Sequence, residues 1–274
     1  MERPSAGPRS DTAALRRALT ARRWRWHGLR WLPDADGVLL ARLILAERLR
    51  VPGGAGEVRR WSAAAEADRG SPTAIARALA RGFADRSLMP EEVRAACEAA
   101  ERLETLAPVT YAEVESDLER RALDWPSACL AAGGVSGRGN LERARPLLRA
   151  ALLAEEWMEH LEHPRAQRFP WIPTELQVEV RLGVGDLDAD EPTLALTQAL
   201  AQLHGRAEQH LLKARELPRA LAGWRSPLAF VWLAILGQRL EALDERGARV
   251  WKRPIQRRSL GRWMVLLARP RTWF

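Results

Sequence analysis

Apolar residues recur every three or four positions along most of this chain, broken by short runs of Pro, Gly, Ser and Asp. That rhythm predicts helices joined by tight turns. Asp11 or Thr12 can cap a first helix through "AALRRALTARRWRWHGL". "WLPDADG" reads as a turn, "VLLARLILAERLR" as a short, very apolar and therefore buried helix, and "VPGGAG" as its stop. "EVRRWSAAAEADRG" is amphipathic and ends at Gly70. "SPTAIARALARGFADR" opens on Ser71 and Pro72, an N-cap and first-turn pair, and "MPEEVRAACEAAERLETLA" opens the same way with acids in its first turn.

In "TYAEVESDLERRALDWPSACLAAGGV", Thr110 and Glu113 have the spacing of a capping box, and Pro126 should kink or interrupt the helix. "NLERARPLLRAALLAEEWMEHLEH" follows, with Pro146 inside it. Next come "TELQVEVRLGVGDLD", a short helix and a loop, and "EPTLALTQALAQLHGRAEQHLLKARELPRAL", one long helix. "SPLAFVWLAILGQRLEALDERG" is the most apolar helix, and "ARVWKRPIQRRSLGRWMVLLARPRTWF" closes the chain. No linker or repeat interrupts the series. The expectation is an all-α bundle of roughly eight to ten helices, a single domain from Thr12 to Phe274 after a short disordered lead, Met1–Asp11.

Composition agrees. Ala and Leu dominate while strand-forming residues are scarce, and 274 residues at 47% hydrophobic can bury a real core. Cys97 and Cys129 form no CxxC pair and read as reduced, buried thiols. No apolar run approaches a membrane span, and the first residues lack a secretory apolar region, so a cytoplasmic protein is expected. The net charge of +8 is carried almost wholly by Arg, the lysines being Lys213 and Lys252. Arg-favouring codons account for the bias; an anionic partner (diphosphate, membrane or nucleic acid) is the functional alternative.

The densest candidate chemistry is "EEWMEHLEHPRAQRFPWIP". Glu155, Glu159 and Glu162 share one helix face at i, i+4 and i+7; Glu156, His160 and His163 share the neighbouring face. One reading is a remodelled metal site, with Glu159, Glu162 and His163 as the ligands. The other, which we expect, is a solvated or degenerate face that holds no metal. Trp24, Trp26, Trp31 and His27 are expected to pack the first helix on the bundle rather than to stack on bases, so nucleic acid is not the expected partner. His204 and His210 have no ligand partner at helical spacing and read as structural or exposed. At the C-terminus, Arg257, Arg258, Arg262, Arg269 and Arg271 alternate with Trp263, Trp273 and Phe274. That is the composition of an interfacial membrane contact, or of a final helix docked on the bundle with a charged rim.

Taken in order, these segments resemble the squalene/phytoene synthase family. The resemblance is carried by the long C-terminal stretch from "IPTELQVEVRLGVGDLD" through "HGRAEQHLLKARELPRAL", by the close "PLAFVWLAILGQRLEALDERGARVWKRP", by the middle helices "SPTAIARALARGF" and "LETLAPVTYAEVESDLERRA", and by "RWRWHGLRWLPDADGVLLARLILAERL". It implies an isoprenoid-synthase bundle with a central cavity, in which active members hold Mg²⁺ and diphosphate between two Asp-rich motifs. The first motif should fall near Val51–Ala55, where this chain reads "VPGGA"; the nearest acids are Glu47 and Glu57. A further acidic helix reads "AERLETLAP", with Glu101 and Glu104, and Pro108-Val109 replaces an Arg-Tyr pair. The Glu/His cluster stands where the second motif belongs. The pattern is similar to the family's non-catalytic branch, which includes a mitochondrial assembly factor for the respiratory NADH dehydrogenase. It implies a binding protein with no cofactor, whose ligand is an isoprenoid, another lipid or a protein partner at the inner membrane face. The alternative is a divergent prenyl-diphosphate transferase, which would need Mg²⁺.

Overall fold

The structure, a computed structural model, describes residues 13–15, 37–67, 73–105, 108–132, 138–162, 171–221 and 225–251. Among these every regular element is helical, as expected for an all-α chain. Two compact units emerge: Met1–Leu103 with Ser116–Ser136, and Glu104–Glu115 with Gly137–Phe274.

The first unit is built around helix α1, Gly37–Leu49. This helix is apolar on nearly all sides and is buried on nearly all sides, with Leu39, Leu40, Leu43, Leu45 and Leu49 in the core. Its one buried charge, Arg42, donates to the carbonyls of Leu123 (2.6 Å) and Ser87 (2.7 Å) and lies 3.7 Å from Glu92. A buried guanidinium must find such partners, since an unpaired one costs several kcal/mol, roughly, in desolvation.

The "VPGG" turn joins α1 to α2, Gly54–Glu66. Gly53 adopts φ 72°, a left-handed conformation that glycine tolerates best, and donors at Val51 and Gly54 close the turn on Arg48 and Val51. A Cβ on Gly54 would sit 2.0 Å from the Arg48 carbonyl oxygen, so no side chain fits there. Helix α3 is Ala74–Ala84, and its N-cap is Thr73, whose Oγ1 accepts from the Ala76 amide (3.3 Å). Ser71 and Pro72, read from the sequence as the start of this helix, lie outside the described residues. Helix α4 is Pro90–Thr105; its Cys97 thiol is buried and pushed up to about 11 by that burial. Helix α5, Tyr111–Arg121, ends in a turn where Leu123 and Asp124 both have positive φ, and α6, Trp125–Ala132, begins just before Pro126. The proline thus interrupts the helix as its missing amide requires. Both cysteines are free thiols.

In the second unit the expected capping box opens α5. Thr110 Oγ1 accepts from the Glu113 amide (3.3 Å), and the Glu113 carboxylate accepts from the amides of Thr110 (3.0 Å) and Val109 (2.7 Å). Helix α7, Arg138–Glu162, runs 25 residues through Pro146. After α8, Thr174–Val180, the expected loop contains one more turn of helix, α9, Val184–Asp188, because Asp186 accepts from the Gly183 amide (2.7 Å) and holds the turn. Helix α10, Leu194–Ala214, capped by Thr193, stops short of the single long helix read from the sequence. A separate turn, α11, Leu217–Ala220, carries Pro218 in its first positions, where the missing amide is tolerated. Helix α12, Arg225–Arg246, leads to a 3₁₀ turn, Gly247–Trp251. Helix α7 packs along α10, and α12 touches both. Trp157, Met158, Trp171, Ile172 and Trp251 are fully buried in this unit.

No helix among the described residues is long and apolar enough to cross a membrane. The first-helix residues Trp24, Trp26, His27 and Trp31, together with His163 and the whole segment from Lys252 to Phe274, lie outside the described residues.

A buried carboxylate cluster closed by arginine

The last three turns of α7 place Glu155, Glu159 and Glu162 on one face, as their spacing dictates. The face is not wet. Glu155, Glu156, Glu159, His160 and Glu162 are 3%, 0%, 3%, 2% and 1% exposed, which corrects the expectation of a solvated face. The physical reason is a cation on α12. Arg239 donates from Nε to Glu162 Oε1 (2.6 Å) and from Nη2 to Glu162 Oε2 (3.0 Å), a two-pronged pair. Its Nη2 also lies 3.5 Å from Glu159 Oε2, and its Nη1 lies 3.8 Å from Glu155 Oε1. One turn pair earlier, Trp232 Nε1 donates to Glu155 Oε2 (3.1 Å).

Trp232 meets Glu155 and Arg239 meets Glu162, both across 77 residues of sequence. The constant offset means that α7 and α12 run parallel here over two turns. Burial by itself would lower the affinity of Arg239 for its proton; the charges of Glu162, Glu159 and Glu155 and the Glu162 hydrogen bond outweigh it and raise it. The guanidinium stays charged, and the three carboxylates have a permanent counter-ion.

On the neighbouring face, the ring of His160 stacks on Trp171, with centroids 5.1 Å apart and planes at 19°. Trp171 leans on Trp157 (6.4 Å), and Trp157 meets the edge of Tyr111 (6.2 Å). The Arg206 guanidinium lies over the Tyr111 ring at 5.4 Å. Arg206 Nε also donates to Glu115 Oε1 (2.6 Å), the same oxygen that His210 Nε2 reaches at 2.7 Å. Burial pushes Glu115 upward, but the hydrogen bonds from His210 and Arg206 outweigh it and hold the carboxyl down at about 2. Burial raises the Tyr111 hydroxyl to about 12. His210 is thus buried and hydrogen-bonded to Glu115, whereas His204 makes a contact of 3.2 Å with the Leu240 carbonyl.

Can these residues hold a hard divalent cation? Such an ion needs several oxygens converging on one open point. Here the converging oxygens of Glu159 and Glu162 are taken by Arg239, and His163 falls outside the described residues. Among the described residues no group of three or more His, Cys, Asp or Glu is arranged to hold a metal. With those oxygens taken, the described donors do not fit one. In the first unit, Glu47 and Glu57 pair with Arg50 (3.1 Å) and Arg48 (2.5 Å), and Glu101 is held by Arg59.

Sequence reasoning singled out the acids and missed Arg239, Trp232, Glu115 and Tyr111. A signal for Arg239 was present: it is the lone charged residue from Ser226 to Leu240, inside an otherwise apolar run. A charge in such a run is expected to be buried against an opposite one. Glu115 had no signal, since it is one of several acids on α5.

No protein-family profile matches the sequence, and no curated protein matches it. Among solved structures, the chain is similar to the squalene synthase HpnC from Alicyclobacillus acidocaldarius, with a TM-score of 0.65 and 15% identity over 89% of this chain and 97% of that one. The likeness places the chain in the isoprenoid-synthase-like helical fold.

Proposed function

We propose that this chain is a squalene/phytoene synthase-like protein that works by binding rather than by catalysis. The observation that carries the reading is Arg239 seated on Glu155, Glu159 and Glu162. Ionisation of a prenyl diphosphate needs cations that contact the leaving phosphate, which in turn needs carboxylates free to ligate them. Here an internal arginine occupies the carboxylates. The "VPGGA" segment supports the same reading, because Gly53 and Gly54 are spent on a turn with no room for a side chain at Gly54. The bound group in this reading is an isoprenoid or other lipid, or a protein partner, at a membrane surface. The segment Arg257–Phe274, with its Arg and Trp residues, would supply the contact with that surface.

A second reading, a prenyl-diphosphate transferase, has one observation in its favour: the likeness to a structure described as a squalene synthase. One experiment separates the two. The protein is incubated with farnesyl or geranylgeranyl diphosphate and Mg²⁺, and pyrophosphate and hydrocarbon products are measured. No turnover is expected. Pyrophosphate release that disappears with EDTA and in Glu159→Gln would establish the transferase and sink the binding reading.

A further inference from the structure

We propose that an exposed apolar edge of the second unit is the docking surface for this chain's own basic C-terminal segment, Lys252–Phe274. The four most exposed large apolar side chains among the described residues are Val184 (77%), Leu194 (75%), Val178 (72%) and Val109 (59%). They sit on neighbouring elements. Val178 is on α8, Val184 on α9 and Leu194 at the start of α10, and Val109 is tied to α8 by the Glu175 amide, which donates to its carbonyl (3.0 Å). Helices α8 and α9 each pack on α10. Exposed apolar side chains on adjoining elements are what a contact surface presents.

Charge selects the occupant. From Glu175 to Glu191 the edge carries Glu175, Glu179, Asp186, Asp188, Asp190 and Glu191 against the single base Arg181. The C-terminal segment is its complement. Lys252, Arg253, Arg257, Arg258, Arg262, Arg269 and Arg271 are its charged side chains, and none is acidic. They account for most of the chain's net +8. Among them stand Trp263, Trp273 and Phe274, apolar groups suited to the exposed valines and leucine.

The chain also leaves the described structure at the right place. The buried ring of Trp251 donates from Nε1 to the Ala189 carbonyl (3.3 Å), between Asp188 and Asp190. The last described residue, Trp251, therefore lies beside the acidic stretch. Twenty-three residues, each spanning up to about 3.4 Å when extended, reach every part of the edge. Exposed ion pairs contribute little singly, so the affinity comes from apolar contacts and from the tether, which sets an effective concentration in the millimolar range, roughly. Docking of this kind is reversible, and an anionic lipid surface would compete for the same arginines. That competition rests on the membrane role given above to the segment; the docking does not.

The test uses the full chain with paired cysteines: Val184→Cys with Thr272→Cys, and as the reference Leu212→Cys with Thr272→Cys. Leu212 is also exposed, on the far end of α10, 18 residues or about 27 Å from Leu194. Disulfides formed under mild oxidation are assigned by peptide mass spectrometry. The Val184 pair should close within one chain several-fold faster than the Leu212 pair. High salt, or Asp188→Lys with Asp190→Lys, should reduce that advantage. Equal rates for the two pairs, or a disulfide found only between two chains, would overturn the proposal. Phosphatidylglycerol vesicles should slow closure and phosphatidylcholine vesicles should not. If closure is selective but indifferent to either vesicle, the docking stands and the membrane reading of the segment fails.

Discussion

Removing Arg239 is the sharpest perturbation the structure offers. At separations near 3.5 Å and an effective dielectric of about 20, each carboxylate attracts the guanidinium by roughly 5 kcal/mol. Taking the ions out of water costs several kcal/mol apiece, roughly, so the cluster as a whole is close to neutral against an apolar equivalent. Deleting one partner is different. Arg239→Met keeps the stem's bulk but leaves Glu155, Glu159 and Glu162 buried together with their common counter-ion gone. The expected loss is about 3–5 kcal/mol. In a chain of this size that is a fall of roughly 10 °C in melting temperature, read by urea or thermal unfolding. Adding Glu159→Gln and Glu162→Gln to the same protein should recover most of it, because the like charges are then gone. A loss below about 1 kcal/mol, or no recovery in the combined variant, would refute the idea that Arg239 is what keeps this cluster closed.

The Glu115 pair makes a pH prediction. Its folded value is about 2 against an ordinary 4.5, so its contribution is fully present above 4.5 and is lost as pH falls toward 2. Glu115→Gln should flatten the acid limb of the stability curve in that window, by an amount on the order of 3 kcal/mol. Thr73→Ala should cost about 1 kcal/mol through the lost cap of α3, read by thermal or urea unfolding. Deleting Leu260–Phe274 should weaken co-sedimentation with anionic liposomes without unfolding the bundle, each arginine near such a surface contributing roughly 1 kcal/mol. Undiminished binding by the shortened chain would remove the segment from that role.

The sequence by itself determined the helices, because helix-forming residues, caps and the 3.6-residue period are local properties. Thr110 and Glu113 could be recognised as a capping box from their spacing alone, and Pro126 as a break. Where a proline stood inside a helical period, across the Ala214–Leu217 junction, the boundary moved by a few residues. Helical spacing also put Glu155, Glu159 and Glu162 on one face. It could not say what that face met. A row of acids looks the same in water, around a metal or against an arginine, and the partner here stands 77 residues away on another helix. Only the parallel pairing of α7 with α12 turned the face inward and gave it Arg239. The same holds for Glu115 and His210, which lie 95 residues apart and share one hydrogen bond. Local periodicity fixes which side chains lie together on a helix; whether they are wet, ligating or ion-paired depends on the charge that tertiary packing brings opposite them.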